Sequence, residues 1–393
     1  MNLLICTVFD IDVPCAGLNR IGRMSKGLQG FGVTCITVVG AGSQRITRGH
    51  WERISQDKQQ YILYDKQDFS RFGHCNAMRI AKTSAAFYRA HLAEVIQSEK
   101  ISGVLVYSPQ HQLMAPILEV CRQVGIFVLA DCGENFSPSL KFLLNGVYLQ
   151  QRRFISTQLR QLDGALINSP EWEQHTRPVK LKTCLAPGFI EETEVRRVAP
   201  ATNMGAPFKI TLMGKFCGRE LPITLILALM KCHRLRLDFV VQLIGTGRGG
   251  ALERFWIWIL RMVLPSEKLI VFGYLANEER NRILASSDLF VMLRRPNKET
   301  AYIYPSRVSE YLVSGNPVIL TQTASLKDFF KVRHGVFFIS DRNDPNEISS
   351  LIIRLNARRG LCFKSGLRGT RYALENFGSF EVCGRIATFL SKL

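Results

Sequence analysis

The sequence predicts an α/β protein built from two doubly wound domains, each a parallel sheet with helices on both faces. Three observations predict it. Short apolar runs bounded by Gly, Pro and Asp alternate with longer amphipathic segments along nearly the whole chain, the pattern of strands joined by crossover helices. One stretch near 195–207, rich in Pro, Ala, Thr, Asn and Gly, interrupts the alternation and suits a linker. At 393 residues the chain is long enough for two separate cores.

In the first half, strands are expected over 3–9, 33–39, 61–64, 103–107, 126–130, 164–168 and 183–186. Between them, helices are expected over 17–30, 76–98, 114–124 and 140–162. In the second half, strands are expected over 209–213, 238–244, 269–272, 289–293, 318–320 and 335–339. The intervening helices fall over 222–232, 251–263, 277–286, 305–314 and 345–356. These halves give domains over 1–197 and 198–378, with a last helix over 379–393 expected to pack back on the first domain. In such sheets ligands bind at the carboxyl ends of the strands.

Composition narrows the class. Hydrophobic residues make up 47% and charged residues 21%, a globular balance. No run reaches the ~18 apolar residues of a membrane span. The N-terminus has no basic leader, and Asp10 and Asp12 break its apolar run, so a first strand is expected there and not a signal peptide. The eleven cysteines are an odd number, form no Cys-x-x-Cys pair and sit mostly in apolar segments. They read as buried small hydrophobes of a reducing, cytoplasmic compartment. No His/Cys/Asp cluster has ligand spacing, so no metal is expected. A net charge of +19 points to an anionic partner, with a general solubility charge as the plainer reading.

The segment from Tyr304 to Ile319 carries the most chemistry. Pro305 suits the first turn of a helix. Val308, Tyr311 and Leu312 share one face, and Gly315 with Pro317 stops the helix before a buried strand. Glu310 is the one acid in that helix, beside Ser306, Arg307 and Ser314. A carboxylate there accepts two hydrogen bonds from a vicinal diol such as a ribose. The helix start with Arg307 suits a diphosphate. Upstream, Gly214 to Glu220 follows a strand and holds Lys215 and Arg219, a cationic clamp for phosphate. The loop at Gly245 is glycine-rich, a weak signal alone because such turns are common. Phe272-Gly273-Tyr274 ends a third strand, where Tyr274 suits a base. Together these describe a nucleotide-sugar site.

On these stretches, with Ser286-Ser287-Asp288-Leu289 before a strand, the second half resembles the nucleotide-binding domain of retaining GT-B glycosyltransferases of the large family 4 type. The resemblance implies two Rossmann-like domains facing a central cleft. It implies that Glu310 holds the donor ribose, and that Lys215 and Arg219 stabilise the leaving diphosphate. It makes Gly214, Gly245, Tyr274, Tyr302, Tyr304, Ser306 and Arg307 donor-side residues. Tyr302 stands where many such relatives carry a further acid that contacts the sugar. In the first half the match is looser. Gly17 corresponds to a glycine loop over the donor diphosphate and the acceptor, with Arg20 adding charge as an acceptor-side residue. Asp131 lies where many relatives place a histidine near the sugar. No cofactor is implied, only a nucleotide-diphosphate sugar as substrate.

Other candidates keep two readings. His111 is an acceptor-side residue or an incidental loop histidine. Asp131 and Glu134 orient or deprotonate an acceptor hydroxyl, or serve as local caps. Basic residues from Arg79 to Arg89 and from Lys141 to Arg160 face anionic lipid or plain solvent. Phe255-Trp256-Ile257-Trp258 is an interfacial anchor or a packed core helix. The expected partners are therefore a nucleotide-sugar donor, a glycan or lipid-linked acceptor and an anionic membrane surface, rather than nucleic acid. An epimerase of the same architecture, or an inactive binding protein, are the competing readings.

Overall fold

The computed structural model describes residues 1–11, 15–40, 51–56, 59–64, 76–133, 146–191, 205–218, 220–247, 249–331 and 334–393. The chain divides into two units. The first comprises Met1–Phe189, Tyr302–Tyr304 and Ser379–Leu393, and the second comprises Ile190–Ala301 and Pro305–Gly378.

The first unit is an eight-stranded sheet. Its strands are β1 (Asn2–Asp10), β2 (Thr34–Gly40), β3 (Trp51–Gln56), β4 (Gln59–Tyr64), β5 (Gly103–Tyr107), β6 (Phe127–Cys132), β7 (Gly164–Ile167) and β8 (Thr183–Leu185), in the order β3-β4-β2-β1-β5-β6-β7-β8. Only β3 runs antiparallel, paired to β4. Its helices are α1 (Ala16–Gln29), α2 (Asn76–Ser98), α3 (His111–Val124) and α4 (Val147–Thr157). The helix expected over 140–162 is observed as α4 followed by a 3₁₀ turn at Leu159–Gln161, and 134–145 lies outside the described residues. Leu3, Ile5, Leu105, Leu129 and Leu166 from the sheet pack on Ile21, Met24 and Leu28 of α1. Val382, Cys383, Ile386 and Leu390 of the C-terminal helix Ser379–Leu390 complete that core.

The second unit is an all-parallel six-stranded sheet in the order β11-β10-β9-β12-β13-β14. Its elements run β9 (Phe208–Met213), α5 (Pro222–Arg234), β10 (Phe239–Ile244), α6 (Gly250–Val263), β11 (Leu269–Val271), α7 (Asn277–Ala285), β12 (Leu289–Met292), α8 (Ser306–Val313), β13 (Val318–Thr321), α9 (Ala324–Phe329), β14 (Val336–Ile339), α10 (Pro345–Ala357) and α11 (Arg359–Phe377). The chain winds outward from β9 to β11 on one side and from β12 to β14 on the other. The switch point thus falls between β9 and β12, the position at whose carboxyl edge such sheets bind ligands.

Helix α11 is absent from the sequence-based expectation, and it contains Gly360, Gly366 and Gly369. The structure uses two of them for close approach. A Cβ at Gly366 would overlap the carbonyl group of Gly315, at the end of α8, and one at Gly369 would press on Leu312. The Thr370 hydroxyl donates to the Leu312 carbonyl at 2.7 Å in the same contact. The Gly366→Ala variant is therefore expected to lose about 1–3 kcal/mol through overpacking against backbone. Gly360→Ala, with open space around its Cβ, is expected to gain up to about 1 kcal/mol from helix propensity. Thermal melts of the two variants check the opposite signs.

Candidate functional site

Four loops meet at the carboxyl edge of the second sheet, and backbone hydrogen bonds stitch three of them together. Gly214 N–H donates to the Ile244 carbonyl at 2.7 Å, and Gly245 N–H to the Gly273 carbonyl at 2.9 Å. The Thr246 hydroxyl donates to the Phe272 carbonyl at 2.8 Å. Gly214 and Gly245 have φ of +111° and +78°, a region where side chains are strained. At Gly214 a Cβ would also collide with the Arg307 guanidinium.

A buried carboxylate that sequence reasoning passed over organises these loops. Glu253, in the first turn of α6, is 1% exposed. Its Oε1 accepts the Phe216 N–H at 2.6 Å. Its Oε2 accepts the N–H groups of Gly247 at 2.7 Å and Gly249 at 2.8 Å. One side chain therefore fixes both the loop after β9, which carries Lys215, and the loop after β10. Two amides of the β10 loop, those of Gly247 and Gly249, are thus satisfied by this acid. The sequence signal was a lone acid in the first turn of a largely apolar helix, directly after a glycine-rich loop.

Helix α8 is anchored to the same edge. Tyr311 is fully buried, stacks on Phe290 with centroids 4.3 Å apart, and accepts the Met213 N–H on its hydroxyl at 2.9 Å. Burial pushes its phenol up to about 12. Arg307 donates to the Met213 carbonyl and, at 2.7 Å, to Glu220 Oε1. Burial, the largest single influence, opposes its charge, but Glu220, Tyr311 and Glu310 together outweigh it and raise its pKa. Arg294 lies 3.7 Å from the same carboxylate. Arg307 thus faces the strand end and an acid, a brace for α8 in this arrangement.

Glu310 lies on the next turn, half-buried, and among the described residues its carboxylate makes no hydrogen bond or ion pair. Lys215 is exposed and equally uncommitted among the described residues. Ser306 is exposed at the start of α8. Tyr274 is 68% exposed in the loop after β11. The residues of the second unit foreseen for donor binding are therefore on one sheet edge, and two of them, Glu310 and Lys215, are chemically available. Arg219 lies outside the described residues.

Tyr302 and Tyr304 belong to the first unit and are buried. The Tyr302 hydroxyl is 3.0 Å from His175 Nε2, its ring stacks on that imidazole, and it meets Trp172 edge-on. Burial, helped by Arg152, lowers the His175 pKa, which favours the neutral ring in this cluster.

Arg20 and Asp131 form a buried fork. Arg20 Nε donates to Asp131 Oδ2 at 2.9 Å and Nη2 to Oδ1 at 3.2 Å. Nη2 also donates to the Ala186 carbonyl at 2.7 Å, and the guanidinium lies over the Phe189 ring. Asp131 is 0% exposed. With both oxygens engaged by Arg20, this carboxylate is not presented to an acceptor hydroxyl, and the pair braces α1 against β6 and the segment after β8. Gly17 is needed for packing, since a Cβ there would overlap Phe9 and touch Tyr107. His111 opens α3 after β5, and its buried Nδ1 has no hydrogen-bond partner among the described residues. Glu134 lies outside the described residues.

No family model and no curated protein matches the chain. Solved structures do match over its whole length. A glycosyltransferase from Rickettsia africae ESF-5 aligns with a TM-score of 0.71 at 13% identity, covering 100% of this chain and 98% of that one. Sucrose-phosphate synthase from Thermosynechococcus elongatus aligns with a TM-score of 0.73 at 12% identity, covering 100% and 99%. A trehalose-6-phosphate protein from E. coli bound with UDP-2-fluoro glucose aligns with a TM-score of 0.69 at 12% identity, covering 99% and 98%. The two parallel-sheet units, the switch point and these full-length matches together make this a GT-B fold.

Proposed function

We propose that the chain is a retaining glycosyltransferase of the family 4 type, moving a sugar from a nucleoside-diphosphate donor to a glycan or lipid-linked acceptor without a metal ion. The observation that carries this reading is an acid, Glu310, on an anchored helix at the switch point, with Lys215 on the loop after β9, both uncommitted among the described residues. Glu310 accepts hydrogen bonds from the two ribose hydroxyls. Lys215 and the positive start of α8 meet the charge that grows on the leaving diphosphate, a stabilisation strongest in the transition state. Arg307, Tyr311 and Glu253 hold these groups in place. The same fold in a protein bound with UDP-2-fluoro glucose supports a uridine nucleotide as the first donor to test.

The test is release of nucleoside diphosphate from UDP-, GDP- and ADP-sugars with and without glycan acceptors. Release that depends on acceptor is the expected result. Interconversion of donor sugars without acceptor would instead identify an epimerase. Lys215→Ala is expected to lower kcat by about 10²–10³-fold and to leave the unfolding temperature unchanged, because its side chain is exposed. Single-turnover rates beside a thermal melt check both halves of that expectation.

A further inference from the structure

Helix α6 resolves the double reading of Phe255–Trp258 in both directions at once. Trp256 and Ile257 pack against the core of the second unit. Leu252, Phe255, Trp258 and Met262 point outward, with exposures of 52%, 46%, 56% and 70%. These four recur at helical spacing along one face of a 14-residue helix. Helix α5 packs beside α6 and exposes Ile223 and Leu227 at 45% each. Large apolar side chains exposed together along one helix face are uncommon on a protein without a partner for them.

The charge on this face points to one kind of partner. Arg254 and Arg261 run together along one edge of the apolar stripe, both exposed and without an ion-pair partner among the described residues. Across α5 and α6 the one acid is Glu253, and it is buried and committed to loop amides. A second copy of the chain seated face to face would bring arginines against arginines with no acid to receive them. An anionic bilayer surface offers both things the face lacks, acyl chains for the stripe and phosphates for the arginines. The length agrees: 14 residues span about 21 Å, short of the ~30 Å hydrocarbon core, so the helix can lie in the interface but not cross it. Among the described residues no helix is long and apolar enough to cross a membrane.

We infer that the α5–α6 face of the second unit docks on an anionic lipid surface, with Phe255, Trp258 and Met262 entering the interface and Arg254 and Arg261 meeting lipid phosphates. This docking is carried by observations separate from those behind the transferase reading.

Flotation of the full chain with vesicles of phosphatidylcholine alone, or mixed with phosphatidylglycerol, tests it. The wild type should float with the anionic vesicles, and less so as salt rises. The Phe255→Ser/Trp258→Ser/Met262→Ser variant should bind them at least about tenfold more weakly, because buried apolar area sets interfacial affinity. Arg254→Gln/Arg261→Gln, which leaves the apolar stripe intact, should weaken binding about tenfold through lost phosphate contacts. Undiminished binding by both variants would assign membrane affinity to another surface and overturn the inference. So would failure of the wild type to float, or a wild-type dimer in sedimentation that the triple variant makes monomeric.

Discussion

Glu253→Ala will destabilise the second unit by about 3 kcal/mol or more, because it strands buried donors that each cost about 1–3 kcal/mol when unmade. Three N–H groups lose their acceptor at once, those of Phe216, Gly247 and Gly249. Water cannot readily replace it, since the carboxylate is 1% exposed. Glu253→Gln retains one acceptor oxygen but turns an NH₂ group toward amide donors, so a smaller loss is expected. The effect should also reach function. The loop after β9 carries Lys215, and slackening it should raise the donor KM or lower kcat even below the melting temperature. Thermal melts with donor kinetics at a temperature where the variant is folded separate the two effects. Wild-type kinetics in a destabilised variant would mean that the loop geometry does not matter to the reaction.

Arg20→Ala will cost about 3–5 kcal/mol, because it leaves the Asp131 carboxylate buried without its cation. Asp131 is 0% exposed and receives two of its hydrogen bonds from Arg20. An apolar double replacement, Arg20→Met/Asp131→Leu, should recover much of that loss, since buried pairs are often matched by well-packed hydrophobic residues. Chemical denaturation of wild type, single and double variants measures the recovery. If Asp131 served instead as the base for the acceptor, the double variant would regain stability while transfer stayed abolished.

These residues show what the sequence exposes and what it hides. The segment around Glu310 is legible because its determinants are local: Pro305 at the start, Val308, Tyr311 and Leu312 at helical spacing, Gly315 and Pro317 at the stop. The strand–helix alternation is legible for the same reason. Partnerships across the chain are not. Arg20 and Asp131 lie 111 positions apart, and Phe216 and Glu253 lie 37 apart. Without the fold, the first pair reads as an acceptor-side cation and a possible base, and Glu253 carries no reading at all. Arg307 reads as a phosphate ligand until Glu220 and the Met213 carbonyl are found beside it. The antiparallel β3 is hidden because Trp51–Gln56 is largely solvent-exposed and lacks apolar alternation. Helix α11 is missing from the expectation, and two of its glycines, Gly366 and Gly369, serve close approach to the end of α8, a role only the fold reveals.

The central claim is that Glu310 binds the ribose of a nucleotide donor. Thermal shift and calorimetric titration with UDP, GDP and ADP test it on wild type and Glu310→Ala. The account predicts that at least one nucleotide stabilises the wild type. It predicts that Glu310→Ala, unchanged in its own melting temperature, binds that nucleotide about 10–150-fold more weakly, the worth of a charge-assisted hydrogen bond of about 1.5–3 kcal/mol. Equal nucleotide affinity in the two proteins, or no stabilisation of the wild type by any of the three, would contradict it.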